Sequence, residues 1–378
     1  MKTKIKNFKL YIAIILVILA LCISYFAYTQ KDNILSLESQ NKVENILPDK
    51  EFEVKEKSLS VLMVGDIMTD RYIRKQINIA GNAENFVKNY LNNLSEVNKN
   101  YYYVVANLEG PITESKSKSL NSDGTYGKDL LFTFPTSTIQ ILNLLNIKIV
   151  SLANNHTDNF YYKGYKETQE FLKEANIKYF GNPYNTNLDS YENLSETLCQ
   201  NEICVAYIGY NQFTKNNDSD RVVKEIERLK DLNKENLDID NLKENKLEES
   251  QLENSIVDFI IIMPHWGEEY EKQANQNQEK LAREWIDAGA DAVIGSHSHV
   301  IQNSEVYKGK YIYYSLGNYI FDQWFNSDVQ NGLGVNIIFK KVSIGKEGEA
   351  EYKVEKSIII KEENNKNIFI DRNGVRYK

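Results

Sequence analysis

What this chain mostly lacks is histidine. Its 378 residues contain four, His156, His265, His297 and His299, and each closes an apolar run in a short polar motif. Histidine is the commonest metal ligand and the usual proton carrier near neutral pH, so confining so scarce a residue to such places points to one assembled site. Cysteine is scarcer still, with Cys22, Cys199 and Cys204 only. That disfavours a Cys-rich structural zinc site and a cysteine nucleophile. No glycine-rich loop runs into Gly-Lys-Ser/Thr, so ordinary P-loop nucleotide binding is not indicated, and no Gly-x-Ser-x-Gly elbow presents a nucleophilic serine. Positive charge is also in deficit, with a formal net charge of −8. This argues against a nucleic-acid partner, and an acidic substrate would need a local basic or metal site.

The first thirty residues bear on the compartment. Lys2, Lys4, Lys6 and Lys9 precede an unbroken apolar segment, residues 10–28. At about 1.5 Å per residue it is just long enough to cross a bilayer core. It is longer than the apolar region of a typical signal peptide, and candidate small-x-small cleavage sites around residues 27–30 are poor. Leu21 before Cys22 also fits a lipoprotein cleavage box badly. The segment is therefore expected to be an uncleaved anchor over 1–29, N-terminus inside by the positive-inside rule, with the main domain extracytoplasmic. The four anchor lysines contribute +4 to the net charge of −8, so the remainder carries −12. Residues 30–57, rich in Lys, Glu, Asn and Ser, read as a stalk.

From Leu59 the pattern changes. "LSVLMVGD", "YYYVVANLEG", "IKIVSLANNH", "VDFIIIMPHWG" and "DAVIGSHSHV" each run from β-branched residues into Asn, Asp, Glu or His. Helical spacing of apolar residues over 136–145, 164–175 and 276–288 alternates with them, predicting an α/β domain with βαβ units over 58–361 and a tail over 362–378. Gly309 is expected at a turn between late strands. Two domains are possible by length, but the motifs spread from Asp66 to Asn318 and would have to converge, so one domain is simpler. Cys199 and Cys204 flank a Gln-Asn-Glu turn, where they either form a disulfide across a hairpin or remain two thiols. Residues 220–232 suit a charged helix, and 233–254, a run of Asn, Lys, Glu and Asp, reads as a solvated insertion. Residues 114–128 form either a flap over the site or an ordinary surface loop.

Asp66 ends the first strand after Gly65, where its carboxylate either faces a crevice as a ligand or caps a following helix. Asn107 and Glu109 are two apart, so on an extended chain both point to one face and can offer oxygen to one ion. In "SLANNH" an amide oxygen of Asn154 or Asn155 can bind a cation while His156 reaches a substrate or leaving group. His265 and Trp266 end the most hydrophobic strand, and the spacing of His297 and His299 puts both rings on one side. Asp66, Glu109, Asn155 and three imidazoles make a mixed N/O set suited to Mn, Fe or Zn. Two divalent ions held together would acidify a water between them and clamp a phosphoryl group, a route to ester hydrolysis.

The ordered blocks "VGDIM", "ANLEGPI", "SLANNHTDNF", "PHWGEEY", "IGSHSHV" and "SLGNYIFDQW" resemble the CapA family of capsule and poly-γ-glutamate synthesis proteins over about residues 59–324. That family is in turn similar to calcineurin-like metallophosphoesterases. The resemblance implies a four-layer α/β/β/α sandwich with a dinuclear site at the strand ends. It implies that Asp66 matches the aspartate of an Asp-x-His block, that Glu109 or Asn107 stands near the second acidic block, and that Asn155 matches a bridging asparagine. His156 then corresponds to the proton-donating histidine, and His265, His297 and His299 to the remaining imidazole ligands. Asn107, Asn154, Trp266 and Asn318 are expected on the substrate side. Two departures stand out: Met68 takes the place of the histidine in Asp-x-His, and Asn107-Leu108-Glu109 replaces a Gly-Asp-x-x-Asp pattern.

Two functions follow as expectations. One is a membrane-anchored metal-dependent hydrolase acting on a phosphoester or on the polymer's amide bonds. The other is a non-catalytic accessory of a capsule synthesis and export complex, which uses the site to hold a metal and an acidic polymer such as poly-γ-glutamate.

Overall fold

Strand β1, Phe52–Ile67, carries apolar side chains on both faces, because period-two alternation serves two different cores. Leu59, Val61 and Met63 point one way, and Leu62 and Val64 the other. A computed structural model describes residues 52–119, 130–184, 192–214, 219–237, 257–346, 353–363, 368–371 and 374–377. The expected anchor and most of the stalk lie outside the described residues, as do 120–128 of the flap or surface loop and 238–254 of the insertion. Among the described residues, no helix is long and apolar enough to cross a membrane.

After β1 come α1 (Arg71–Ala80), then α2 (Ala83–Phe86), a single π-helical turn (Val87–Leu91) and α3 (Asn92–Asn98). Next are β2 (Tyr103–Leu108), α4 (Thr138–Leu144), β3 (Ile147–Ser151), α5 (Tyr161–Glu174) and β4 (Lys178–Phe180). The hairpin β5 (Ser195–Gln200) and β6 (Ile203–Asn211) leads to α6 (Ser219–Leu237), β7 (Phe259–His265), α7 (Gln276–Ala288) and β8 (Ala292–Ile294). Strands β9 (Ser304–Tyr307), β10 (Lys310–Tyr313), β11 (Asn318–Ile320), β12 (Gly334–Lys346) and β13 (Lys353–Glu363) follow. A last hairpin, β14 (Ile368–Asp371) with β15 (Gly374–Tyr377), occupies the stretch set aside as a tail.

The fold is mixed α/β with two main sheets. One has the order β13-β12-β1-β2-β3-β4, with β11 also paired to β1; the other has the order β5-β6-β7-β8-β10-β9. The neighbours β1/β2/β3/β4 and β6/β7/β8/β10 are parallel, as βαβ units require. Three apolar clusters define the layering. One joins the first sheet to α1–α5 through residues such as Ile73, Phe86, Ile141 and Leu172. Another lies between the sheets, where Tyr103 and Val105 meet Val205, Tyr207 and Ile261. The last joins the second sheet to α6 and α7 through Ile226, Leu281 and Trp285. Covering both faces of both sheets explains why β7 reads as an unbroken apolar run. Helix α7 matches its sequence pattern to the residue because Asn275 and Gln278 form a reciprocal capping box at its start.

The chain divides into a large unit, residues 56–342 with 355–378, and a small one, residues 1–55 with 343–354, of which the structure describes only strand ends.

In the β5–β6 hairpin Cys199 pairs with Cys204 in register and the two form a disulfide, resolving that alternative. The closed loop is short and β5 is the sheet's edge, so chain-entropy arguments give it only about 2 kcal/mol. Reduction is therefore expected to lower the thermal midpoint slightly and leave the strand-end site unchanged. Melts with and without reductant, read beside metal content, check this; loss of metal on reduction would contradict it.

Candidate metal centre

The parallel strands end together, and their carboxyl ends carry the chemistry, as open α/β sheets dictate. Asp66 on β1 is in register with Asn107 on β2 and with Asn318 on β11. Gly65 makes the second pairing possible: a Cβ there would sit 1.7 Å from the Gly317 carbonyl oxygen. From the other sheet, His265 ends β7, bridged to Ser296. Beyond β8, the loop returns His297 and His299 with φ of 98° and 57°, backbone that side-chain-bearing residues rarely adopt.

Asp66, Glu109 and His265 each place a ligand atom within 4.8 Å of the others, and all are buried. Glu109 is the centre of the arrangement. Its Oε1 lies 3.6 Å from His299 Nε2, 3.9 Å from His265 Nε2 and 4.0 Å from His156 Nε2. Those separations are too long for hydrogen bonds, but they suit donors that share an ion at about 2 Å from each. Among the described residues neither carboxylate oxygen of Glu109 finds a hydrogen-bond donor. Buried carboxylates are otherwise paired or on a metal, so this orphaned group fits a divalent cation.

The amides orient the ligands. Asn107 Nδ2 donates to Asp66 Oδ1 at 2.7 Å, and Asn154 Nδ2 donates to Asn107 Oδ1 at 3.0 Å. The backbone N–H of His156 and the Thr157 hydroxyl donate to Asn154 Oδ1 at 3.1 and 2.9 Å. Asn318 Oδ1 lies 3.0 Å from His299 Nδ1, which fixes that nitrogen as the donor and turns Nε2 to Glu109. At His265, Nδ1 faces Ser296 Oγ at 3.0 Å and accepts from Asn107 Nδ2 at 3.2 Å, while Nε2 meets Asn155 Oδ1 at 2.8 Å and His297 Nδ1 at 3.1 Å. Asn107, Asn154 and Asn318 thus reach the site as positioning groups whose amides are already engaged.

Trp266 requires a correction. Its ring is fully buried on the opposite face of β7 from His265, stacked on Trp285 at 5.3 Å, with Nε1 donating to the Tyr314 carbonyl. Strand alternation sends consecutive side chains to opposite faces, so it packs beneath α7 and does not meet a substrate. Met68, at the position where the resemblance marks a missing histidine, is likewise in the apolar core with its sulfur accepting from the Asp70 N–H.

Electrostatics follow from burial. Desolvation, then Asp66, raises the Glu109 carboxyl well above its usual range. Burial and then His299 lower His156 to about 4, burial and His299 lower His297 to about 3, and burial and His297 lower His265 well below its ordinary value. Burial alone would lower His299 too, but Glu109 and Asp66 outweigh it and lift the ring to about 9. Around these rings stand aromatics that sequence reading missed: Phe132 lies 4.3 Å from His156, Phe213 4.2 Å from His297 and Phe321 4.7 Å from His299. Phe132 and Phe213 belong to no quoted motif, and Phe321 lies within "SLGNYIFDQW" with no spacing that marks it. Ser296 sits beside His297 in the chain and was findable there.

Residues 60–323 match the family described as bacterial capsule synthesis protein PGA_cap. The chain belongs to that family. The PGA_cap region holds every candidate ligand named above. The chain is 30% identical over 348 residues to the capsule biosynthesis protein CapA of Bacillus anthracis, covering 88% of this chain and 73% of that one. It is 28% identical over 294 residues to the PGA biosynthesis protein CapA of Bacillus subtilis (strain 168), covering 76% and 70%. Among solved structures, a hypothetical protein from Thermus thermophilus aligns over 81% of this chain and 100% of its own, at 15% identity and a TM-score of 0.41.

Proposed function

We propose that this PGA_cap member is a membrane-anchored, extracytoplasmic hydrolase of capsule or poly-γ-glutamate synthesis or export, built around a divalent metal held by Asp66, Glu109, Asn155, His265, His297 and His299. The observation that carries it is Glu109: a fully buried carboxylate, ringed by three imidazole nitrogens and given no hydrogen bond. When bound, a divalent ion supplies Lewis acidity and a more acidic water for attack on a phosphoester or amide. His156 is the one imidazole bound to Asn159 rather than to a ligand, and it borders the cluster. Burial lowers it to about 4, so near neutral pH it is an unprotonated imidazole that can take a proton from the attacking water and then pass that proton to the leaving group. The anchoring segment and the hairpin disulfide support an oxidising, external compartment.

Met68 favours a second reading. With that side chain in the core, one metal position lacks an imidazole, and the site then serves to hold a metal and an acidic polymer within an export complex without turnover. Metal analysis of the full chain in detergent, followed by assays on chromogenic phosphoesters and poly-γ-glutamate, separates the two. A chain without divalent metal ends both. If metal binds and His156→Ala lowers turnover by about 10²–10⁴-fold, hydrolysis stands; if only polymer binding changes, the accessory reading stands.

Metal affinity is also expected to depend on pH. Ligation requires Glu109 and His299 to lose protons that burial and Coulomb attraction hold on, so the ion competes with protons. Because His299 is raised from 6.5 to about 9, its contribution to the stability of the metal-free fold is complete below 6.5 and lost as pH rises through about 9. Metal should bind tighter over that same window, roughly tenfold per unit for each proton released. Titrations at pH 6.5 and 8.5 read this directly, and equal affinities would remove His299 from the ligand set.

A further inference from the structure

Arg71 is a cation at the lip of a site otherwise built from carboxylates and imidazoles, and no motif singled it out. It opens α1 with φ 49°, in the left-handed region. An arginine held there is strained by roughly 1–3 kcal/mol, and such strain persists where the side chain has to be placed rather than where the helix needs it. The guanidinium lies over the Phe132 ring at 4.9 Å and the Phe321 ring at 5.5 Å. Those rings pack on His156 and His299 respectively, so one aromatic thickness separates the cation from two imidazoles of the centre. Its field is felt at Glu109, His156 and Tyr270.

Buried Asp322 orients the group. One of its oxygens accepts from Arg71 Nη2, and the other accepts the Tyr72 N–H at 3.0 Å. A guanidinium carries five N–H donors in a flat fork, enough to serve Asp322 and a second oxyanion together. A buried pair that only anchored α1 would add little stability, since desolvation offsets most of its Coulomb gain. A pair that seats the guanidinium on rings packed against His156 and His299 keeps a cation one layer from the centre, which gives both the strain and the aromatic bracket a use.

We propose that Arg71 is the oxyanion-recognition residue of this centre, gripping a phosphoryl or carboxylate group of the substrate beside the metal; the idea rests on the metal-centre reading above. Cation and metal would then contact one anion from two sides, as charge-assisted, planar recognition favours.

Calorimetric titration of inorganic phosphate and of glutarate into the metal-loaded full chain tests it, with Arg71→Gln, Arg71→Lys and Asp322→Asn compared and metal content measured for each. Arg71→Gln is expected to weaken the preferred anion by about 10- to 100-fold at unchanged metal content. Arg71→Lys should recover only part, because a point charge cannot reproduce the fork. Asp322→Asn should also weaken the anion, by less than Arg71→Gln, because the fork keeps its charge but loses the carboxylate that orients it. Whichever probe binds tighter assigns the anion as phosphoryl or carboxylate. If Arg71→Gln does not fold, Arg71→Lys decides, and wild-type affinity in it overturns the proposal. So does unchanged affinity in a folded Arg71→Gln, or a metal-loaded wild type that binds neither anion. A wild type without metal instead overturns the centre itself; Arg71 is then judged by whether the same variants still weaken phosphate binding to the metal-free chain.

Discussion

Glu109→Gln is expected to make the metal-free protein more stable and to abolish its stabilisation by divalent metal. The carboxyl is fully buried beside Asp66 with no hydrogen-bond donor among the described residues, so its desolvation cost is only partly offset by the charges of His299 and Arg71. Leaving such a group unsatisfied costs about 1–3 kcal/mol, and more if charged. A glutamine of the same shape carries no charge, and its amide can donate toward Asp66 or an imidazole. Removing the central oxygen ligand should at the same time erase the gain from added metal, about 2.7 kcal/mol at a hundredfold excess over Kd. Thermal melts of both proteins in chelator and in excess Mn or Zn give the two numbers. A variant that melts lower in chelator and still rises with metal would show that Glu109 is an ordinary core group.

Gly65→Ala should have the opposite sign and a larger size. The added methyl would meet the Gly317 carbonyl oxygen at 1.7 Å and its carbon at 2.8 Å, both backbone atoms that no rotamer change can move. Overpacking usually costs about 1–3 kcal/mol, and here the strand itself must shift, so a loss at or above that upper figure is expected. The shift falls on the β1–β11 pairing that aligns Asp66 with Asn318, so metal binding should fall with stability. Gly81→Ala is the comparison. Its glycine has φ 86° with nothing within 4 Å of the added carbon, so it should cost only local strain and leave the site loaded. Equal effects of the two substitutions on metal content would contradict the close-approach argument.

Much of the centre was legible because it is made of polar residues that interrupt apolar strands. Asp66, Glu109, Asn155 and the four histidines stood out against their surroundings, and the strand ends bring them together. The strands and α7 were legible for the same reason: alternation and a capping box are local signals. Residues 71–98 were not. Helices α1 to α3 are short, contain Asn-rich turns and a π-helical turn, and take their order from packing Ile73, Phe86 and Leu91 on the first sheet. Trp266 was misread because proximity in sequence to His265 says nothing of which face a strand residue takes. Arg71 and the aromatic rings escaped because long-range packing, not spacing, puts them at the site.

The backbone at His297 and His299 has an evolutionary corollary. Both sit where glycine or asparagine would rest more easily, so each imidazole is kept against a local conformational preference. A library of this gene sorted only for heat resistance should drift toward glycine and asparagine at those two codons. One sorted for capsule production should hold histidine at both, and the divergence of the two populations would measure how strongly selection for use opposes selection for ease of folding.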